Sequence, residues 1–155
     1  MALLLSACAV HSPPAINSSV STLQSASAIK FPEADDRGGL RAQWQEALKT
    51  AFAAHSVMQQ ADAPFVAELA LSVRDAETGL ASTEQNTPEI DWRSSPRSNR
   101  LFDRCKAQRM RGTLVIYRRS DGAIVYRGES ESDDCDFGAD AFQAMADQLV
   151  SDAIG

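Results

Sequence analysis

Histidine is almost absent from this chain: among 155 residues only His11 and His55 are present. His11 lies in the N-terminal stretch, and His55 has no cysteine or second histidine beside it. Zinc sites and Ser–His or Cys–His pairs therefore have no constellation to rest on. The chain also lacks a Gly-rich phosphate loop, an HExxH pair and a GxSxG elbow. Asp133, Asp134, Asp136 and Asp140 could offer oxygens to calcium. They lack the glycine and the bidentate glutamate of a calcium loop, so they read as a solvated acidic turn. His55, near the apolar face of a helical segment, reads as structural. These absences lead to the expectation of a non-enzymatic protein with no cofactor and no metal. After the first residues no run stays apolar for about 18 residues, the length a membrane-crossing helix needs. The net charge of −6 argues against nucleic acid as a partner.

What is present begins with Met1-Ala2-Leu3-Leu4-Leu5-Ser6-Ala7-Cys8. An apolar run ends in small residues and a cysteine. Leu5-Ser6-Ala7-Cys8 resembles the lipobox of bacterial lipoproteins at all four positions, and the resemblance covers residues 1–8. It implies a diacylglyceryl group on the Cys8 thiol, cleavage before Cys8 and acylation of the new N-terminus. Each buried methylene then contributes about 0.8 kcal/mol to anchoring. Ala9, rather than Asp, follows the cysteine, and in the sorting rule of enteric bacteria this implies the outer membrane, facing the periplasm. No Lys or Arg precedes Cys8, and the apolar run is shorter than an ordinary signal peptide's. Residues 1–8 therefore read as a truncated signal segment, from either a start codon set too far downstream or a trimmed chain. Residues 9–28 are rich in Ser, Ala and Pro and read as a flexible tether. Residues 29–155 read as a single domain.

The chain has three cysteines, and the lipobox accounts for the odd one. Cys105 and Cys135 remain, and an oxidising periplasm would join them. Thr113–Tyr117 and Ala123–Tyr126 are strand-like runs around Asp121-Gly122, a tight-turn signal. Folding about that turn brings the two cysteines to the open end of one hairpin. A bridge there closes a loop of about 30 residues, for roughly 3–4 kcal/mol. Two free thiols or a metal pair are the alternatives.

Periodicity predicts the other elements. Ile16–Leu23 has weak edge-strand character, and Ile29–Pro32 is extended. Leu40, Trp44, Ala47, Leu48, Ala51, Phe52 and His55 share one face of a helix ending near Val57. Strict alternation from Phe65 to Arg74 predicts a half-buried strand, which ends at the Asp75–Gly79 turn. Residues 80–104 show no period and read as a long loop. An acidic stretch, Glu129–Asp136, precedes a helix over Ala139–Ile154, with Asp136 or Asp140 as its N-cap. The expected fold is α+β: a small antiparallel or mixed sheet of three to four strands, two helices packed on one face, in the order β-α-β-β-β-α. That order looks like several families of small envelope lipoproteins with a compact α+β domain.

Charge is segregated. From Arg93 to Arg119 there are nine basic residues and one acid, Asp103, for +8, and the rest of the chain carries −14. Either the basic segment pairs with the acidic stretch, or it meets an anionic partner such as lipid phosphates or an acidic envelope protein. Arginine dominates, which suits forked contacts to phosphate or carboxylate. Trp92, Arg93, Arg97, Arg100 and Arg104 are the candidate anion- or partner-binding residues. Arg109 and Arg111 fall in a strand and read as structural. The functional expectation is a lipid-anchored accessory or binding module of an envelope assembly, transport or secretion system. The alternative is a binder of a small amphiphile, in a cavity lined by Phe52, Phe65, Leu69 and Phe142.

Overall fold

The structure is a computed structural model that describes residues 14–19, 23, 28–33, 39–82, 91–98 and 105–155. Its centre is the hairpin of β7, Gln108–Arg118, and β8, Ile124–Asp134. Gly122 takes a φ of 71° in the connecting turn, a conformation open to glycine. Asp121 accepts the Ala123 N–H at 3.1 Å there. Both strands are longer than the sequence pattern implied. The acidic run Glu129–Asp134 is strand rather than turn, because it alternates: Ser130 and Ser132 face the buried side, and Glu129, Glu131 and Asp133 face the other.

The sheet extends on both sides of the hairpin. β4, Phe65–Asp75, pairs antiparallel with β7. β1, Ala15–Ser19, pairs antiparallel with β8. β2, Ala28–Lys30, runs parallel to β4, and β3, Met58–Gln59, runs parallel to β2. The result is a six-stranded mixed sheet in the order β1-β8-β7-β4-β2-β3. Two further strands, β5 (Leu80–Ser82) and β6 (Asp91–Ser94), form a separate antiparallel pair. The α+β class and the two helices match the expectation, but the strands exceed three to four and the element order differs. Short strands such as β2 and β3 carry too few residues to show a period. They exist because a neighbouring edge satisfies their backbone. The edge strand expected within Ile16–Leu23 is present as β1, but the tether reading of residues 9–28 and the loop reading of residues 80–104 need correction. Ala15–Ser19 and Leu23, within the stretch read as tether, are docked on the domain, with the Leu23 N–H donating to Ala153 O at 2.6 Å. Likewise β5 and β6 lie within the stretch read as loop.

Helices α1, Leu40–Ala54, and α2, Ala139–Ile154, cover one face. α1 stops short of Val57, because His55 caps it and Ser56 turns the chain at φ 62°. His55 is exposed there, not packed on the apolar face. α2 starts from Gly138 without a side-chain cap, so neither Asp136 nor Asp140 serves as N-cap. Asp140 instead lies in the first turn, at the positive end of the helix dipole.

The core lies between helices and sheet, around Trp44, Phe52, Met110, Tyr126, Phe142 and Leu149. Two glycines let large rings reach the sheet. The Trp44 indole lies on Gly112, where a Cβ would sit 2.6 Å from the ring. Gly128 gives the same room to Tyr126 and Leu149. The Tyr126 hydroxyl donates to Asp152 at 2.9 Å, and burial, with that bond, pushes its pKa up. Phe52, Leu69 and Phe142, expected to line a ligand cavity, are packed in this core. Cys105 and Cys135 are bridged, with Cα atoms 5.8 Å apart across 30 positions, which ties the open end of the hairpin.

Candidate charged site on the outer sheet face

The helix-free face of the sheet is built by alternation. On β4 the even-numbered residues point outward, and on β7 and β8 the odd-numbered ones do. The register then sets three rows. Arg74 stands beside Arg109, which stands beside Asp133. Ser72, Arg111 and Glu131 form the second row, and Ala70, Thr113 and Glu129 the third. Cross-strand neighbours of opposite charge stabilise each other.

Arg109 forks onto Asp133, donating from Nε to Oδ1 at 2.5 Å and from Nη2 to Oδ2 at 2.8 Å. The hydrogen bond to Asp133 raises the Arg109 pKa further, against the effect of burial. Its Nη1 donates to the Ser94 hydroxyl at 2.8 Å and to Ser95 O at 2.6 Å. Arg111 donates to Glu131 at 2.6 Å and lies 3.3 Å from Glu129. Arg74 donates to Ser94 at 2.5 Å and lies 3.4 Å from Glu131. The Ser94 hydroxyl, only 6% exposed with its residue, receives both guanidinium groups and donates to Glu131 at 2.7 Å. One donor and two acceptors exhaust a hydroxyl, so Ser94 is the hub that fastens β6 to the main sheet.

Sequence reasoning missed Ser94. A lone serine carries no signal until the register places three charged groups around it. Asp133, read as part of a solvated turn, is buried against Arg109, because its strand position points it at that guanidinium.

The predicted site residues divide as follows. Arg97 lies 4.0 Å from Asp133 and is mostly covered. Arg93 lies 3.6 Å from Glu129 with its side chain 48% exposed. Trp92 is 44% exposed, and its ring lies over Gly79, where a Cβ would clash with it. Cys8, Arg100 and Arg104 lie outside the described residues. Among the described residues, no group of three or more His, Cys, Asp or Glu side chains could hold a metal ion. No helix among them is long and apolar enough to cross a membrane.

Surface hollows lie among the described residues, one of them at the site. One of about 280 Å³ borders Ser94, Arg109, Glu131 and Asp133. One of about 750 Å³ lies between Lys30, Phe31, Gln45 and Gln60. Its walls are already engaged, since Gln45 donates to Pro32 O at 2.8 Å and Lys49 pairs with Glu46 at 2.6 Å. The third, about 350 Å³, lies at the β7–β8 turn between Phe65, Arg118 and Arg119.

The network sets a pH dependence. Burial alone would raise the Glu131 pKa. Hydrogen bonds from Ser94 and Arg111, with the charges of Arg111 and Arg74, outweigh it and hold the group below the ordinary glutamate value. A depressed folded pKa contributes stability above the unfolded pKa, and that contribution is lost as pH falls through the folded value. Urea midpoints are therefore expected to fall as pH drops below about 4.3, the unfolded value for Glu. In Glu131→Gln that share of the acid dependence should disappear. Parallel acid profiles for the two proteins would show that Glu131 does not contribute.

No protein family matches the chain's sequence, and no curated protein does. Solved structures do share its fold. PelC from Paraburkholderia phytofirmans, a dodecamer, is similar in two crystal forms at 11% and 10% identity, each with a TM-score of 0.53. The match covers 89% of this chain and 95% of PelC. A PDZ domain protein from Parabacteroides distasonis is similar at 8% identity and a TM-score of 0.52, over 91% of this chain and 36% of that one. At these identities the likeness is one of fold alone.

Proposed function

We propose that this chain is a lipid-anchored protein of the bacterial cell envelope, held at the outer membrane and facing the periplasm. It serves there as a non-catalytic accessory or binding module of an envelope assembly, transport or secretion system. The observation that carries this reading is Leu5-Ser6-Ala7-Cys8. The Cys105–Cys135 bridge supports it, because such bridges persist in oxidising compartments. The fold shared with PelC, which assembles as a dodecamer, supports association between copies of this chain. Its partners in this reading are the membrane, reached through the anchor, and an anionic lipid or acidic envelope protein, but not nucleic acid. Among the described residues of the candidate set, Trp92 and Arg93 are exposed, and contact is proposed there. Arg97 sits deeper, against Asp133, and Arg109 and Arg111 hold the sheet face together.

The test is metabolic labelling with radioactive palmitate of the chain expressed behind a complete lipoprotein leader. The wild type is expected to take up label and to sediment with membranes, and Cys8→Ser to do neither. A wild type that stays unlabelled sinks the reading.

A further inference from the structure

We propose that the pole formed by the β7–β8 turn and the start of β4 is a docking surface for an anionic phospholipid bilayer. The inference rests on the partner reading above and deepens it. It assigns the anionic lipid a surface of its own, apart from Trp92 and Arg93, and it does not depend on the anchor at Cys8. Among the described residues, the two most exposed large apolar side chains are Ile124, 59% exposed, and Met58, 57% exposed. Both stand at this pole. Ile124 is opposite Tyr117, the neighbour of Arg118, which is opposite Phe65. Phe65 is opposite Ile29, and Met58 is opposite Ala28 beside it. β8 and β3 are separated by β7, β4 and β2, so the two side chains stand roughly 20 Å apart across the sheet. Between them lie exposed Pro64, half-buried Phe65 and the hollow of about 350 Å³, lined also by Arg118, Arg119 and Ser120. Single exposed apolar residues are ordinary, but these share one end around one hollow and form a patch.

The cations beside that patch are available. Arg118 pairs with Asp121 at 2.8 Å, and both side chains are 48% exposed. An exposed pair of this kind contributes little, so a lipid phosphate can replace Asp121 at small cost. Arg119, also exposed, donates from its guanidinium to Ala61 O at 3.1 Å. A guanidinium fork matches two phosphate oxygens. Lys30, opposite Val66, adds a further base. The acids at this end are Asp62, Asp121 and, on the helix layer, Asp152, which accepts the Tyr126 hydroxyl. The bridge pole is the reverse. Asp75, Glu77, Asp134, Asp136 and Asp140 stand there against Arg97 and Lys106. An anionic surface therefore repels the bridge pole and accepts the turn pole. Ile124 and Met58 then enter the headgroup boundary while the guanidinium groups meet phosphate.

The experiment uses the full chain with Cys8→Ser, so that no acyl chain contributes, and phosphatidylethanolamine vesicles with or without phosphatidylglycerol. Flotation is expected to show binding to the phosphatidylglycerol vesicles that weakens with added salt. Arg118→Ser combined with Arg119→Ser should weaken it by about tenfold, and Ile124→Ser several-fold. These side chains are exposed, so urea midpoints should stay near the parent's. Ile124→Trp places a ring that favours the headgroup level and should tighten binding. Trp92→Ser combined with Arg93→Ser should leave it unchanged. Binding that survives in the turn variants but is lost in the Trp92 and Arg93 variant overturns the docking surface and leaves an anionic lipid partner standing. No binding to phosphatidylglycerol vesicles, or equal binding without that lipid, also overturns the docking surface, while the anchor reading is decided separately by palmitate labelling.

Discussion

Arg109→Ala is expected to destabilise the domain by about 3 kcal/mol, among the largest effects of any charge substitution in the chain. The guanidinium forks onto Asp133, whose side chain is only 8% exposed, and also serves Ser94 and Ser95. Removing it leaves a buried carboxylate without its forked partner and with only Arg97, 4.0 Å away, as counter-charge, and breaking a buried pair from one side costs more than the pair contributes. It also takes away one of the two guanidinium groups that hold Ser94, so β6 should loosen from the main sheet. Urea unfolding and hydrogen exchange at β5 and β6 measure both effects. Two comparisons fix the cause. Arg93→Ala, at an exposed pair 3.6 Å from Glu129, is expected to cost under about 1 kcal/mol. Arg109→Met combined with Asp133→Leu should recover most of the loss, because apolar groups of similar size can replace a buried ion pair. A loss below about 1 kcal/mol for Arg109→Ala would mean that water already screens the network.

Trp44→Ala should cost about 3–5 kcal/mol, the range for emptying a large aromatic from a core. Its indole is fully buried and lies on the bare backbone of Gly112. Gly112→Ala should cost about 1–3 kcal/mol by overpacking, since its methyl would have to displace the ring. The two changes relieve each other. With the indole gone, the added methyl enters vacated space, so the double variant should be more stable than the sum of the single losses predicts. Additive losses in thermal or denaturant unfolding would show that the ring and the glycine do not share this contact.

Some of this architecture is legible in residue order because it depends on local period. Leu40–Ala54 and Ala139–Ile154 repeat apolar residues at helical spacing, and Phe65–Asp75 alternates, so each shows its buried side without knowledge of its neighbour. Asp121-Gly122 marks the turn, because few residues besides glycine accept a positive φ at low cost. From that turn the approach of Cys105 to Cys135 follows by counting along two strands. What the tertiary structure alone decided concerns groups whose state depends on what lies across from them. Glu129, Glu131 and Asp133 look like solvated acids in sequence. They become strand residues because Arg74, Arg109 and Arg111 arrive opposite them and offset the cost of burying charge. The weak edge-strand character of Ile16–Leu23 is legible in sequence, but its pairing with the free edge of β8 at Ala15–Ser19 is not. Ser94 and Gly112 look unremarkable in sequence. One becomes a hub and the other a seat for Trp44, because hydrogen-bond satisfaction and steric room are properties of an assembled neighbourhood, not of a residue.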